Sequence, residues 1–115
     1  MKTLLVILTL LGAHTVLAHA DHAPPRVAAC ITKSCTPEQI EKAVPAALTI
    51  LEVKGAIDKS WLKVKVDKVG LKDFKKGKEW VAELYDASQK DNAKQRLYIF
   101  ITQEGFLNGM NFDGK

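Results

Sequence analysis

Alternation of apolar and polar residues is clearest in the C-terminal third of the chain, at residues 96–102. The segment places two sets of alternate residues on opposite faces: Leu97, Ile99 and Ile101 on one, and Tyr98, Phe100 and Thr102 on the other. Because both faces carry large apolar side chains, the segment predicts a central strand. Such a strand has neighbours on both edges and a covering layer on one side.

A helical period begins at Thr36. Thr36 can cap a helix, Pro37 suits the first helical position, and Gln39 completes a capping box. Apolar residues then recur at the spacing of one helix face: Ile40, Ala43, Val44, Ala47, Leu48 and Leu51. Gly55 is a typical stop signal. Pro45 lies inside the run and predicts a kink rather than two separate helices.

Further strands are predicted before and after the central strand. Residues 64–71 alternate between apolar and polar side chains, as in a strand. The alternation shifts by one residue near Asp67, which indicates a β-bulge. A hairpin turn at 75–78 leads to a strand at 79–85, and a second hairpin turn lies at 104–105. The last strand carries Phe106, Met110 and Phe112.

The element order is one helix followed by about four antiparallel strands in a meander. This order predicts an α+β domain, in which one amphipathic helix packs on a curled antiparallel sheet. The other face of the sheet carries Tyr85, Tyr98 and Phe100. If no element covers that face, these residues form a candidate contact surface.

The first twenty residues have the composition of a secretory signal peptide. Lys2 supplies the positive start, an apolar run covers residues 4–11, and small residues come next. Cleavage is expected after Ala18 or Ala20. The apolar run is shorter than the ~20 residues that a membrane span needs. We therefore expect a periplasmic or secreted protein with no membrane anchor after cleavage.

Length and charge constrain the part of the chain beyond the signal peptide. The chain has 115 residues, too few for two ordinary domains, which predicts a single domain at 36–115. Pro24 and Pro25 favour an extended tether at 21–35. The net charge is +4, and many lysines lie in the segment 54–78, where they alternate with apolar residues. This pattern is typical of a solvated strand face, so no nucleic-acid partner is expected. An acidic partner or an anionic surface stays open.

Cys30 and Cys35 are the only cysteines, and both lie in the exported part of the chain. In an oxidising compartment such a pair most often forms a disulfide, which here would pin the tether beside the helix start. A reactive redox pair is the alternative, although redox motifs favour a shorter spacing.

His19, Asp21 and His22 lie at or near the expected new N-terminus. Two imidazoles, a carboxylate and a free amine close together can chelate Cu(II) or Zn(II). The spacing matches no closed zinc motif. A polar leader without a metal is the alternative interpretation.

No catalytic set is recognisable in the predicted domain. The domain contains no histidine, so a Ser-His or Cys-His pair cannot form there. Glu79 and Glu83 are expected on the wet face of their strand rather than as an acid/base pair. Trp61 and Trp80 are expected in the core. The sequence predicts a protein that is not an enzyme.

Several segments resemble an uncharacterised family of small bacterial periplasmic proteins. The resemblance covers most of residues 19–115 and rests on the H-A-D-H leader, K-G-A-I-D-K-S-W at 54–61, E-W-V at 79–81, L-Y-I-F-I-T at 97–102 and N-F-D-G-K at 111–115. It implies a compartment and a helix-then-sheet fold, but no reaction. Pro45 and the Cys30/Cys35 pair depart from the family pattern. The element order is also similar to that of PepSY-type domains, which bind or restrain other proteins.

These features together predict a non-enzymatic periplasmic accessory protein. Its sheet face or edge would contact an as yet unknown protein partner, and its histidine-bearing leader would handle a transition metal, copper or zinc. The alternative is a modulator or inhibitor of an exported enzyme that has no metal role.

Overall fold

The computed structural model describes residues 23–30 and 34–115. Within these residues the chain forms one α-helix and four strands: α1 (Pro37–Val53), β1 (Val66–Phe74), β2 (Gly77–Tyr85), β3 (Arg96–Thr102) and β4 (Leu107–Asn111). Short 3-10 turns cover Lys59–Lys63 and Asn92–Lys94. Within the same ranges, no helix has the length and apolar character that a bilayer crossing requires.

The strands form one antiparallel sheet in the order β1-β2-β3-β4. The predicted α+β meander is therefore confirmed, and β3 has the bounds that the alternation predicts, with β2 and β4 as neighbours. The register of β1 against β2 shifts between Val66 and Lys68, so the bulge predicted near Asp67 is also confirmed. A second irregularity, between Phe100 and Ile101 on the β4 side, is not predicted by the alternation pattern.

Both ends of α1 are determined by local sequence. The hydroxyl of Thr36 accepts from the amide of Gln39 (3.2 Å), and the Gln39 side chain accepts from the amide of Thr36 (2.8 Å). This capping box satisfies two amides that the helix itself cannot pair. At the other end Gly55 has φ +77°, and the amide of Ala56 donates to the carbonyl of Leu51 (2.9 Å). A left-handed glycine with this bond closes the helix.

Pro45 lies inside α1, and the helix continues through it. Because proline has no N–H, the carbonyl of Glu41 lacks its normal helical donor. One turn further along the helix, the hydroxyl of Thr49 donates to the carbonyl of Pro45 itself (3.1 Å). The prediction that the run is one helix rather than two is confirmed.

The core lies between α1 and one face of the sheet. The sheet contributes buried residues from its two inner strands: Trp80, Ala82, Leu84, Leu97, Ile99 and Ile101. The helix contributes the six residues that its period predicts: Ile40, Ala43, Val44, Ala47, Leu48 and Leu51. Each large aliphatic side chain so buried contributes about 1.5–3 kcal/mol.

Trp61 anchors the 3-10 turn at Lys59–Lys63 to this core. It is 2% exposed, and its ring centroid lies 6.4 Å from that of Phe112. Asp58 caps the turn by accepting from the amide of Ser60 (2.9 Å). Both tryptophans are core residues, as predicted.

Candidate functional site

The sheet face opposite α1 carries the predicted contact residues. Register places one residue of each strand in a row across it, namely Gly70, Val81, Phe100 and Gly109. We call this side of the sheet the open face. The open face also carries Lys68, Lys72, Glu79, Glu83, Tyr85, Arg96, Tyr98 and Asn111.

The three predicted contact residues differ in how much of them a partner could reach. Tyr85 is 45% exposed, Tyr98 is half-buried, and Phe100 is only 9% exposed. The ring of Phe74 packs edge-on against Phe100, with centroids 5.7 Å apart. Gly114 lies so close to Tyr98 that a Cβ on it would be 3.0 Å from the ring. Side chains of β1 and residues after β4 therefore cover part of the face, which the alternation pattern alone does not predict.

A groove of about 300 Å³ opens on this face beside the β1–β2 turn. Phe74 and Phe100 form its apolar walls. Its rim carries three lysines: Lys75, Lys76 and Lys115. Apolar walls with a positive rim favour a group that joins an apolar body to a negative charge.

Glu83 occupies the interior of the same face and is 7% exposed. The expectation that it lies on the wet side of its strand is therefore wrong. Arg96 on β3 approaches its carboxylate (Nη1–Oε2, 3.0 Å), and Lys68 on β1 lies 3.9 Å away. The Arg96 guanidinium also lies over the Tyr85 ring, 4.6 Å from its centroid. Register across three strands brings these groups together, so a buried carboxylate is compensated by neighbouring positive charge.

The chain itself covers the start of the sheet edge at β4. The amide of Leu107 donates to the carbonyl of Pro25 (2.8 Å). The amides of Val27 and Ala28 both donate to the carbonyl of Gly105 (2.8 and 3.1 Å). We call residues 25–28 the strap. The strap forms one antiparallel bridge, between Arg26 and Phe106, immediately before β4.

Two further contacts hold the strap in place. The guanidinium of Arg26 lies over the ring of Phe106, 4.2 Å from its centroid, and donates to the carbonyl of Glu104 (3.1 Å). Gly105 has φ +99°, and a Cβ on it would collide with the carbonyl oxygen of Ala28. Only glycine allows both the turn and this close approach.

The predicted disulfide between Cys30 and Cys35 is present, with Cα atoms 5.1 Å apart. Both cysteines are buried, and the amide of Cys35 donates to the carbonyl of Gln103 (2.9 Å). The disulfide thus links Cys30, shortly after the strap, to Cys35, which directly precedes the helix cap Thr36. Its short loop contributes about 2 kcal/mol by restricting the unfolded chain.

The opposite edge of the sheet, at β1, has a different environment. In the part of the chain that the structure describes, β1 pairs with β2 and with no other strand. Lys68 and Lys72 are exposed on it, and between them Gly70 offers bare backbone. A Cβ on Gly70 would meet nothing within 4 Å. A second groove, of about 310 Å³, lies between the start of β1 and α1.

Comparison with known proteins identifies one family that covers the whole chain. The model of the family of unknown function DUF6488 matches residues 1–115. The chain belongs to this family. The predicted resemblance to an uncharacterised family is therefore confirmed, while bacterial origin and the periplasm stay predictions. No curated protein and no solved structure matched this DUF6488 chain.

The predicted metal ligands of the DUF6488 chain, His19, Asp21 and His22, lie outside the described residues. Within residues 23–30 and 34–115 no group of three His, Cys, Asp or Glu side chains is arranged to hold a metal ion. Because Cys30 and Cys35 are bonded to each other, their sulfurs are not available as thiolate ligands.

Two carboxylates have altered acidity, and both have structural partners. Hydrogen bonds from Ser88 and then Gln89 hold the pKa of Asp86 below its ordinary value. Hydrogen bonds from Ser60 lower the pKa of Asp58 in the same way. Both residues organise turns, and neither lines the groove on the open face.

Proposed function

We propose that this protein is a non-enzymatic binding protein of the periplasm or the secreted fraction. Its open face receives an acidic segment of an exported partner protein. The observation that carries the proposal is the groove lined by Phe74 and Phe100, with Lys75, Lys76 and Lys115 at its rim.

Electrostatics support an acidic partner. The whole chain carries a net charge of +4, and both lysines of the β1–β2 turn, Lys75 and Lys76, line the groove. Exposed charges of this kind steer association and select against positively charged partners more than they add affinity. Binding should therefore weaken as salt is added, because these charges are accessible to screening.

The polar groups of the groove favour binding over catalysis. Its carboxylate, Glu79, accepts a hydrogen bond from the side-chain amide of Asn108 (2.7 Å). The lysines on the rim are exposed. Exposed lysines are suited to hold an anionic group.

Site-specific crosslinking in the exporting cell tests the proposal. A photo-crosslinking amino acid at position 76, on the groove rim, should yield an adduct with one exported protein. The same amino acid at position 42, on the exposed side of α1, should not. Adding Lys75→Glu and Lys115→Glu should abolish the adduct at position 76. Equal adducts at both positions, or an adduct that survives the two substitutions, would contradict the proposal.

We also propose that the leader binds Cu(II) or Zn(II) through His19, Asp21 and His22. The disulfide favours this ligand set, since it removes both thiols from competition. Titration of each metal into oxidised protein should show an affinity that His19→Ala with His22→Ala lowers at least about tenfold, which equals a loss of roughly 1.4 kcal/mol. Unchanged affinity would leave the alternative, a modulator of an exported enzyme with no metal role.

A further inference from the structure

We propose that the outer edge of β1 receives an extended strand from the partner protein. This strand would place acidic residues opposite Lys68 and Lys72 and an aromatic residue opposite Gly70. The inference rests on the proposed function and specifies the shape and chemistry of the segment that the partner supplies.

The contrast between the two sheet edges points to β1. The strand at the β4 edge has only five residues, and its first residue, Leu107, already donates a backbone hydrogen bond to the strap. Along the nine residues of β1, the described part of the chain supplies no such cover. An edge strand with unpaired amides and carbonyls is a template for an added strand, and proteins use this mode to recognise extended peptides.

Register determines which side chains an added strand would meet. Lys68, Gly70 and Lys72 pair across the sheet with Glu83, Val81 and Glu79, so all three lie on the open face. An antiparallel strand would set its own alternate residues opposite these three positions. Carboxylates opposite the two lysines form favourable cross-strand pairs.

Gly70 provides the space for an aromatic ring. It starts the row that continues through Val81 and Phe100, and a Cβ at this position would contact nothing within 4 Å. An aromatic side chain on a neighbouring strand covers such an edge glycine and shields its backbone from water. The ring would then extend toward Val81, continuing the apolar row.

The intervening residues of the added strand would face the other way, toward α1. Their neighbours on β1 are Val69, which is half-buried, and Leu71, which is 39% exposed. Aliphatic side chains at these two positions would cover Leu71 and extend the core. The segment that fits best therefore reads acidic, aliphatic, aromatic, aliphatic, acidic.

The same lysines argue against a second copy of this chain at the edge. Antiparallel self-pairing centred on Gly70 would set Lys68 of one copy opposite Lys72 of the other. Like charges directly opposite each other destabilise a strand pair. The charge pattern therefore disfavours a homodimer through β1 and favours an acidic strand.

A synthetic peptide tests the inference directly. The probe is a labelled Thr-Glu-Val-Phe-Val-Glu-Thr peptide, added to oxidised full-length protein while backbone amide NMR shifts are recorded. We expect shifts at residues 68–72. Replacing the peptide's Phe by Gly, or both Glu by Lys, should weaken binding by about fivefold or more, since each cross-strand pair contributes a modest factor.

Substitutions in the protein distinguish binding at the β1 edge from binding in the groove. Gly70→Val fills the space over which the ring would lie and should weaken the probe about fivefold, as one lost cross-strand contact implies. Its matched control is Gly109→Val, at the far end of the same row, where a Cβ also meets nothing within 4 Å. Both variants should fold, because neither glycine has a positive φ.

The lysines have a matched control as well. Lys68→Gln with Lys72→Gln should weaken the probe about fivefold, whereas Lys42→Gln with Lys90→Gln removes the same charge elsewhere and should not. If the probe depends on Lys75, Lys76 and Lys115 but not on Gly70, Lys68 or Lys72, the edge inference is overturned and the proposed function stands. If no substitution at either place alters binding of the probe or of the crosslinked partner, both are overturned.

Discussion

The two edges of this sheet differ in whether another segment of the described chain is hydrogen-bonded to them. At β4 the strap forms backbone hydrogen bonds with Gly105 and Leu107, and a disulfide fixes the chain a few residues further on. At β1 the described residues leave the strand with exposed lysines, a bulge and a glycine. Charges and bulges are common means of preventing unwanted strand pairing. The chain thus bonds across the start of one edge, which we call the closed edge, and only guards the other with charge and a bulge.

The largest effect is expected from opening the closed edge. Gly105→Ala should lower the free energy of unfolding by about 3 kcal/mol, because a positive φ strains any side chain and the new Cβ would collide with the Ala28 carbonyl. Urea denaturation provides the measurement.

Gly109→Ala is the matched control for that substitution, since it adds the same methyl group to open space without a positive φ. It should change stability by less than about 0.5 kcal/mol. Equal losses in the two variants would show that the strap does not depend on close approach at Gly105.

Breaking the disulfide should weaken the closed edge somewhat less. Cys30→Ser with Cys35→Ser removes the cross-link near the strap and should cost about 2 kcal/mol by the loop-entropy argument. Denaturation with and without reductant measures it. Reductant should shift the wild-type curve by the same amount and leave the double variant unchanged; a shift in the variant would place the effect elsewhere.

Local sequence signals predicted β3 and the start of α1. The alternation of Leu97, Ile99 and Ile101 defines β3 because that strand is buried on one continuous face. Thr36 and Gln39 define the start of α1 because a capping box is complete within four residues. Each signal is short-range, so neither depends on how distant segments pair.

Features set by long-range register were not predictable in the same way. Glu83 is buried because Arg96 on the next strand and Lys68 on the previous one approach it, and the pairing of three strands decides this. The position of the strap depends on backbone groups of Gly105 and Leu107, which carry no side-chain pattern. The groove depends on the contact between Phe74 on β1 and Phe100 on β3, two strands that are separated by β2.

A smaller effect is expected beside the guarded edge. Pro45 lines the groove between α1 and the start of β1. Pro45→Ala restores a donor for the Glu41 carbonyl and should raise the free energy of unfolding by about 1 kcal/mol, the net worth of a backbone hydrogen bond. Thermal unfolding measures the gain. A loss of stability would mean that packing of the proline ring outweighs the missing bond.

The smallest effect is expected in the loop that follows β2, which belongs to neither edge of the sheet. Since hydrogen bonds from Ser88 and Gln89 lower the pKa of Asp86 in the folded state, its contribution is present above the ordinary carboxyl value and is lost as pH falls through the lowered one. Asp86→Asn should flatten the decline of stability in acid. Parallel curves for the variant and the wild type would contradict this account of the loop.

Residue-resolved amide hydrogen exchange on the oxidised protein tests the difference between the edges most directly. The account predicts slow exchange at Val27, Ala28 and Leu107, whose amides are bonded across the closed edge. It predicts fast exchange at alternate residues of β1, whose outward amides have no strand to pair with in the described part of the chain. Slow exchange along the whole of β1, or fast exchange at Leu107, would contradict it.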